Sequence, residues 1–353
     1  MPFESLAQRA DRRRFLKPFT GEAPWPPPMW LMRQAGRYLP EYRQTRAKAG
    51  GFLDLCYSPA LAAEVTLQPI RRYGFDASIL FSDILVVPDA LGQEVRFVEG
   101  EGPRLDPIED IVGLSRLNAN RTGEKFSIVA ETVTRLRQDL PDETALIGFC
   151  GAPWTVATYM VGGRGSPDQA AARLLAYREP QIFKPLIDLL VDVSVEYLTL
   201  QVEASADALQ IFDSWAGSLP EDQFARWVTA PTRVMVERLR KRYPEIPILG
   251  FPRGADQLSA AFVEETGVDG VSCNTAMPVM GMVELAEKTD RVVQGNLDPL
   301  LLVAGGQQMD ERVVEILDAM KGRKYIFNLG HGILQTTPPE NVARLVEVVR
   351  RDG

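Results

Sequence analysis

Arg33-Gln34-Ala35-Gly36-Arg37 places a guanidinium at each end of a five-residue stretch. A guanidinium is always charged, and its planar fork meets a carboxylate through two parallel hydrogen bonds. Gly36 opens backbone conformations closed to other residues and lets a ligand come close. The stretch has the makings of an anion clamp. Charge alone favours a plainer reading, in which Arg33, Arg37 and Arg43 solvate one face of a helix. Residues elsewhere in the chain decide between the two.

The clamp follows Met29–Met32, one of eight short apolar runs that read as strands. The others are Ala77–Phe81, Ala145–Phe149, Ala208–Phe212, Ile246–Phe251, Gly270–Cys273, Val292–Gly295 and Tyr325–Leu329. Phe126–Leu140, Ile182–Glu203, Phe224–Arg242, Glu311–Met320 and Glu340–Arg350 carry apolar residues at helical spacing. Ser58-Pro59, Ser166-Pro167 and Thr337-Pro338 each set a capping hydroxyl before a proline at a helix start. Gly92–Pro107 reads as an extra hairpin with turns at Gly100 and Gly102. Alternating strands and helices imply a parallel sheet with right-handed crossovers. Eight such units suggest an α/β fold: one closed (β/α)8 TIM barrel over residues 26–353, after a polar arm over residues 1–25. An open doubly wound sheet is the rival, but no run is followed by its glycine-rich phosphate-binding signals.

In a barrel the active site forms at the carboxyl ends of the strands. Those positions hold Arg33, Gln34 and Arg37, then Ser82 and Asp83, then Cys150, Trp154 and Tyr159. Asp213, Ser214, Arg253, Asn274, Asn296, Asp298 and His331 follow. No lysine is among them, which argues against Schiff-base chemistry. Asp83 and Asp213 suggest glycosidase work, but the Glu residues and abundant aromatics of a sugar groove are missing. Asp83 either caps a turn or points into the barrel mouth. Burying it unpaired there is costly, and the arginines are its natural partners. Ser214 is either a cap or a contact. Tyr159 belongs to the core or the mouth, and Trp154 is assigned to the core. His331, between Gly330 and Gly332, reads as a ligand contact.

The formal net charge of −8 argues against a nucleic-acid or membrane-surface partner. An anion site must therefore be a local concentration of arginine. Cys56, Cys150 and Cys273 form neither a metal spacing nor a disulfide framework, which points to a reducing compartment. Cys150 and Cys273 read as buried filler. A single histidine excludes a His-rich metal site. The N-terminus lacks the apolar core of a signal peptide, and no apolar run reaches about 18 residues. A cytoplasmic location is expected.

The stretches PMWLMRQAGRYLPEYR and GFCGAPWTVATYMVGG resemble the two signatures of the uroporphyrinogen decarboxylase family. FSDILVVPDALG, IFDSWAG and NLGHGI match the same family, in its order, so the resemblance covers the chain from about residue 25. It implies a (β/α)8 barrel acting as a homodimer, with no metal and no organic cofactor. It implies loss of four carboxyl groups from the acetate arms of uroporphyrinogen, giving coproporphyrinogen for haem synthesis. Carried over by position, the substrate contacts fall on Arg33, Gln34, Ala35, Gly36, Arg37, Asp83, Tyr159, Ser214 and His331. Tyr42 stands where the family has an aromatic residue, often Phe, and Ser214 where it has Ser or Thr. Gly162-Gly163 suits a mobile flap.

On that reading, Arg33, Arg37 and His331 supply a cationic pocket for a substrate with eight carboxylates. Asp83 accepts the inward-pointing pyrrole N–H groups and stabilises a cationic intermediate. The pyrrole itself serves as the electron sink that other decarboxylases take from a cofactor. Arg37 or Arg33 is the family-style proton donor, with Tyr159 and a water as alternatives.

Overall fold

The computed structural model describes residues 4–98 and 102–351. Its nine strands are β1 (Ala77–Ile79), β2 (Val95–Val98), β3 (Gly102–Leu105), β4 (Ala145–Gly151), β5 (Ala208–Asp213), β6 (Ile248–Pro252), β7 (Gly270–Ser272), β8 (Val292–Leu297) and β9 (Tyr325–Leu329). Seven form one curled parallel sheet in the order β1-β4-β5-β6-β7-β8-β9. Helices return the chain between them, among them Thr122–Asp139, Pro153–Gly162, Pro180–Glu203 and Gly306–Met320. β2 and β3 pair antiparallel as the expected hairpin. The turn assigned to Gly100 lies outside the described residues, whereas Gly102 takes a left-handed φ of 80°.

The eighth run is not a strand. Of Met29–Met32, only Met29 makes a parallel bridge, to Phe327 of β9. Pro28 has no N–H to donate, and the Met29 N–H goes to the Asp76 carboxylate at 2.8 Å instead of a ladder carbonyl. The Met29 carbonyl accepts from Asp76 N–H at 3.0 Å, just before β1. This short segment therefore bonds to both edges of the sheet. Other expected boundaries shift for local reasons. The helix expected at Pro167 begins at Ala170, because the Ser166 hydroxyl turns to the Asp168 carboxylate. The last helix starts at Pro339, with Pro338 rather than Thr337 at its cap. Phe224–Arg242 is interrupted by a π turn at Ala225–Thr229, because Pro231 cannot donate to the carbonyl four residues back.

Side chains alternate between the two faces of a strand. The inward set includes Gln210 and Gln294, which join Trp30 and Ser272 in a hydrogen-bonded belt. Above it lie Phe149, Phe212 and Phe251. Phe212 meets Phe149 and Phe251 edge-on, with ring centroids 5.6 and 6.2 Å apart. At the other end of the sheet, residues 4–25 do more than trail as a polar arm. Leu6–Arg12 is a helix that delivers buried Arg9, and Arg13 follows it; both reach Asp207 in front of β5.

Candidate active site

The arginine turn is fixed from beneath. The Gln34 side chain is fully buried, accepts from Leu31 N–H at 3.1 Å and donates to the Ala77 carbonyl at 3.2 Å. Its amide thus positions the turn and does not face the mouth. Ala35 and Gly36 are half-buried, and the Tyr38 hydroxyl donates to the Gln34 carbonyl. Arg33, not Gly36, takes the left-handed conformation, with φ 59°. For a residue with a Cβ this costs roughly 1–2 kcal/mol, so the surrounding bonds must impose it. They do so on both sides: Met32 N–H donates to the Asn328 side chain, and Ile333 N–H to the Met32 carbonyl. The glycines are required by proximity. A Cβ at Gly36 would lie 3.1 Å from the Arg33 carbonyl oxygen, and one at Gly332 would lie 2.4 Å from Arg33 Cδ. The Arg33 side chain therefore crosses the backbone beside His331.

Arg37 lies exposed on the rim and donates to Gln335 Oε1 at 3.3 Å. Tyr42 is only 3% exposed and packs on Phe81 at 5.7 Å. Burial pushes its phenol up to about 12, so it supports the wall and does not open onto the mouth.

Asp83 caps a turn and also feels the charge of Arg33. Its Oδ1 caps a turn by accepting from Leu85 N–H at 2.8 Å. Its carboxyl also lies within electrostatic reach of Arg33. Burial lifts it to about 6, against the downward pull of the Leu85 N–H and Arg33. Burial also raises the Tyr159 phenol; the Trp215 indole and Arg33 oppose that shift, whereas Asp83 reinforces it. Arg33, Asp83 and Tyr159 thus share one recess. Gly163 ends the Tyr159 helix with φ 68°, and its carbonyl accepts from Leu105 N–H of β3 at 2.9 Å. The Gly162-Gly163 stretch is anchored to the hairpin in this structure.

His331 departs from expectation. Burial, then Arg33 and Arg253, push its imidazole down to about 3. It is neutral near pH 7 and cannot be counted with the cations. It can still offer a donor or acceptor nitrogen.

Ser214 is half-buried beside the recess. Asp213, one residue earlier, points the opposite way and is 3% exposed. Its Oδ1 accepts from the Thr155 hydroxyl, which accepts from Trp215 N–H at 3.0 Å. Strand alternation separates this aspartate from the chemistry and gives it a structural task. Its Oδ2 is buried without a hydrogen-bond partner, and burial pushes the carboxyl up to about 7. The unfolded value is about 3.9, so stability tied to Asp213 protonation is lost as pH rises from about 4 to about 7. Asp213→Asn keeps the acceptor and removes the titration. Urea unfolding at pH 5 and pH 8 should show the variant losing less stability across that interval, by up to about 3 kcal/mol. Parallel pH profiles for variant and wild type would contradict this assignment.

Asn274, Asn296 and Asp298 hold loops together. Asn296 donates to the Asn274 and Met277 carbonyls, and Asp298 caps the helix Pro299–Ala304. Cys56, Cys150 and Cys273 are all buried free thiols. Trp154 is fully buried, as expected for core. Among the described residues, no three His, Cys, Asp or Glu side chains converge where a metal could bind, and no helix is long and apolar enough to cross a membrane.

The family model for uroporphyrinogen decarboxylase matches residues 10–351. A uroporphyrinogen decarboxylase from Sinorhizobium fredii is 57% identical over 96% of this chain and 98% of its own length. One from Brucella anthropi is 55% identical over the same shares. Among solved structures, a methyltransferase from Methanosarcina mazei superposes with a TM-score of 0.76 at 19% identity, covering 99% of both chains, which is a likeness of fold. The match of the family model over residues 10–351, with relatives 55–57% identical along almost the whole length, shows that the chain belongs to the uroporphyrinogen decarboxylase family.

Proposed function

We propose that the chain removes the carboxyl groups of the four acetate arms of uroporphyrinogen, giving coproporphyrinogen for tetrapyrrole synthesis, with no metal or organic cofactor. The observation that carries the mechanism is the Asp83 carboxyl, held in one recess with Arg33 and Tyr159. Arg33 and Arg37 bind side-chain carboxylates through charge-assisted hydrogen bonds. Asp83 accepts the pyrrole N–H groups. Protonation of a pyrrole ring carbon produces a cation that Asp83 stabilises. The C–C bond to the carboxylate then breaks, carbon dioxide leaves, and its electron pair flows to the cationic ring nitrogen, leaving an exocyclic methylene. A second proton, added to that methylene, makes the methyl group, and departure of the first proton from the ring carbon restores the aromatic ring, so one proton is consumed for each carbon dioxide. Arg37 or Arg33 delivers protons, with Tyr159 or a water as the alternative. His331 contributes a neutral hydrogen bond, and Ser214 lines the wall.

The same reading takes the Met29 segment as the eighth stave of a closed barrel, supported by its bonds to both sheet edges. It takes the working unit as a homodimer in the cytoplasm. Anaerobic incubation with uroporphyrinogen, followed by oxidation and separation by carboxyl number, should give products with seven, six, five and finally four carboxyls. Unchanged eight-carboxyl material from folded protein would contradict the assignment.

A further inference from the structure

Arg253 stands one residue past β6, the middle strand of the sheet. Arg33 follows the Met29 segment, which bonds to the two outer edges. The two arginines thus approach the recess from opposite sides. Phe251, two residues earlier, faces inward: its ring centroid is 6.2 Å from Phe212 and 6.5 Å from His331. Arg253 N–H turns back to the Phe251 carbonyl at 2.9 Å, a tight turn that places Arg253 at the carboxyl end of β6, the end of the sheet that carries the recess.

The Arg253 backbone is fixed from two directions. Its N–H donates to the Asp213 carbonyl at 3.0 Å, and its carbonyl accepts from Gly217 N–H at 2.9 Å. A Cβ at Gly217 would fall 2.7 Å from the Gly254 carbonyl oxygen, so the two loops meet backbone to backbone. Such fixing suits a side chain that must hold position. The side chain is half-buried, and among the described residues no carboxylate pairs with it. Elsewhere, partly buried arginines such as Arg240 and Arg344 have aspartate partners at 2.8 and 2.7 Å. A half-buried guanidinium without a counter-charge, facing a recess that takes a polyanion, lacks only the anion.

We propose that Arg253 is a third carboxylate-binding arginine, gripping a substrate side arm from the side opposite Arg33. This rests on the decarboxylase reading of the site. It adds a contact that leaves the role of Asp83 unchanged.

The experiment uses Arg253→Gln and Arg253→Lys in the full chain. It measures steady-state kinetics with uroporphyrinogen and the imidazole NMR titration of His331, the sole histidine. Arg253→Gln should raise KM at least tenfold with a smaller change in kcat, and Arg253→Lys should recover most of the loss. The His331 titration should move upward by a small amount in Arg253→Gln, burial and Arg33 still holding it down, and stay near wild type in Arg253→Lys. An active wild type with an Arg253→Gln KM within twofold overturns the proposal alone. So does an unmoved His331 titration, which would place the guanidinium away from the recess. A wild type that leaves uroporphyrinogen unchanged overturns the decarboxylase reading, and the proposal with it.

Discussion

Replacing Asp83 by Asn should lower the decarboxylation rate about a hundredfold, equivalent to about 3 kcal/mol of transition-state stabilisation. Asparagine keeps the shape and the acceptor that receives Leu85 N–H, so the turn survives. What goes is the negative charge facing Arg33 and the place where a pyrrole cation would form. The charge also sets a pH limit. Burial holds the carboxyl near about 6, so kcat/KM in the wild type should fall as pH drops through that value. The variant should lose that acid limb together with its rate. Ser214→Ala, which leaves the charge in place, should cost far less. Comparable rates for Asp83→Asn and Ser214→Ala would remove Asp83 from the centre of the mechanism.

The second large effect lies at the opposite end of the sheet. Asp207→Ala should destabilise the fold by about 3–5 kcal/mol without touching the recess. The Asp207 carboxylate is 4% exposed and receives Arg13 at 3.0 Å, Arg137 at 3.1 Å and Leu146 N–H at 2.8 Å. Its carbonyl receives the Arg9 guanidinium at 2.7 Å. Burial pushes both Arg9 and Arg137 down, and Asp207 opposes that shift. Without it, three guanidiniums stand close together in a poorly solvated place. The measurement is urea unfolding, with KM for uroporphyrinogen as the control. A loss below about 1 kcal/mol, the level of an exposed ion pair, would show that the cluster holds nothing together.

How legible each part was depended on the range of the interaction. Seven strands followed from short apolar runs because the apolar pattern is local. Met29–Met32 looked the same but lost its ladder, because Pro28 lacks a donor and Asp76, 47 residues on, captures the Met29 N–H. Asp83 and Arg33 were legible as polar residues just past apolar runs, and Tyr159 as a residue of the helix that follows β4. Asp213 met the same criterion yet points outward; alternation along IFDSW carries the signal that separates it from Ser214. Arg253 stood at a strand end too, but the tight turn from its N–H to the Phe251 carbonyl carries no signal in the apolar pattern. The downward shift of His331 was not legible, since it depends first on burial and then on Arg33 and Arg253, distant in sequence. Nor was the left-handed Arg33, forced by bonds to the loop around Asn328–Ile333, where a glycine at position 36 drew attention. The Asp207 cluster joins residues 194 apart, beyond any periodicity.

The most direct measurement of the central claim uses metal-stripped protein under anaerobic conditions, with uroporphyrinogen labelled either in its acetate or in its propionate carboxyls. The account predicts four equivalents of labelled carbon dioxide from the acetate-labelled substrate and none from the propionate-labelled one. No release from folded protein, release only after a metal is restored, or release from the propionate arms would contradict it.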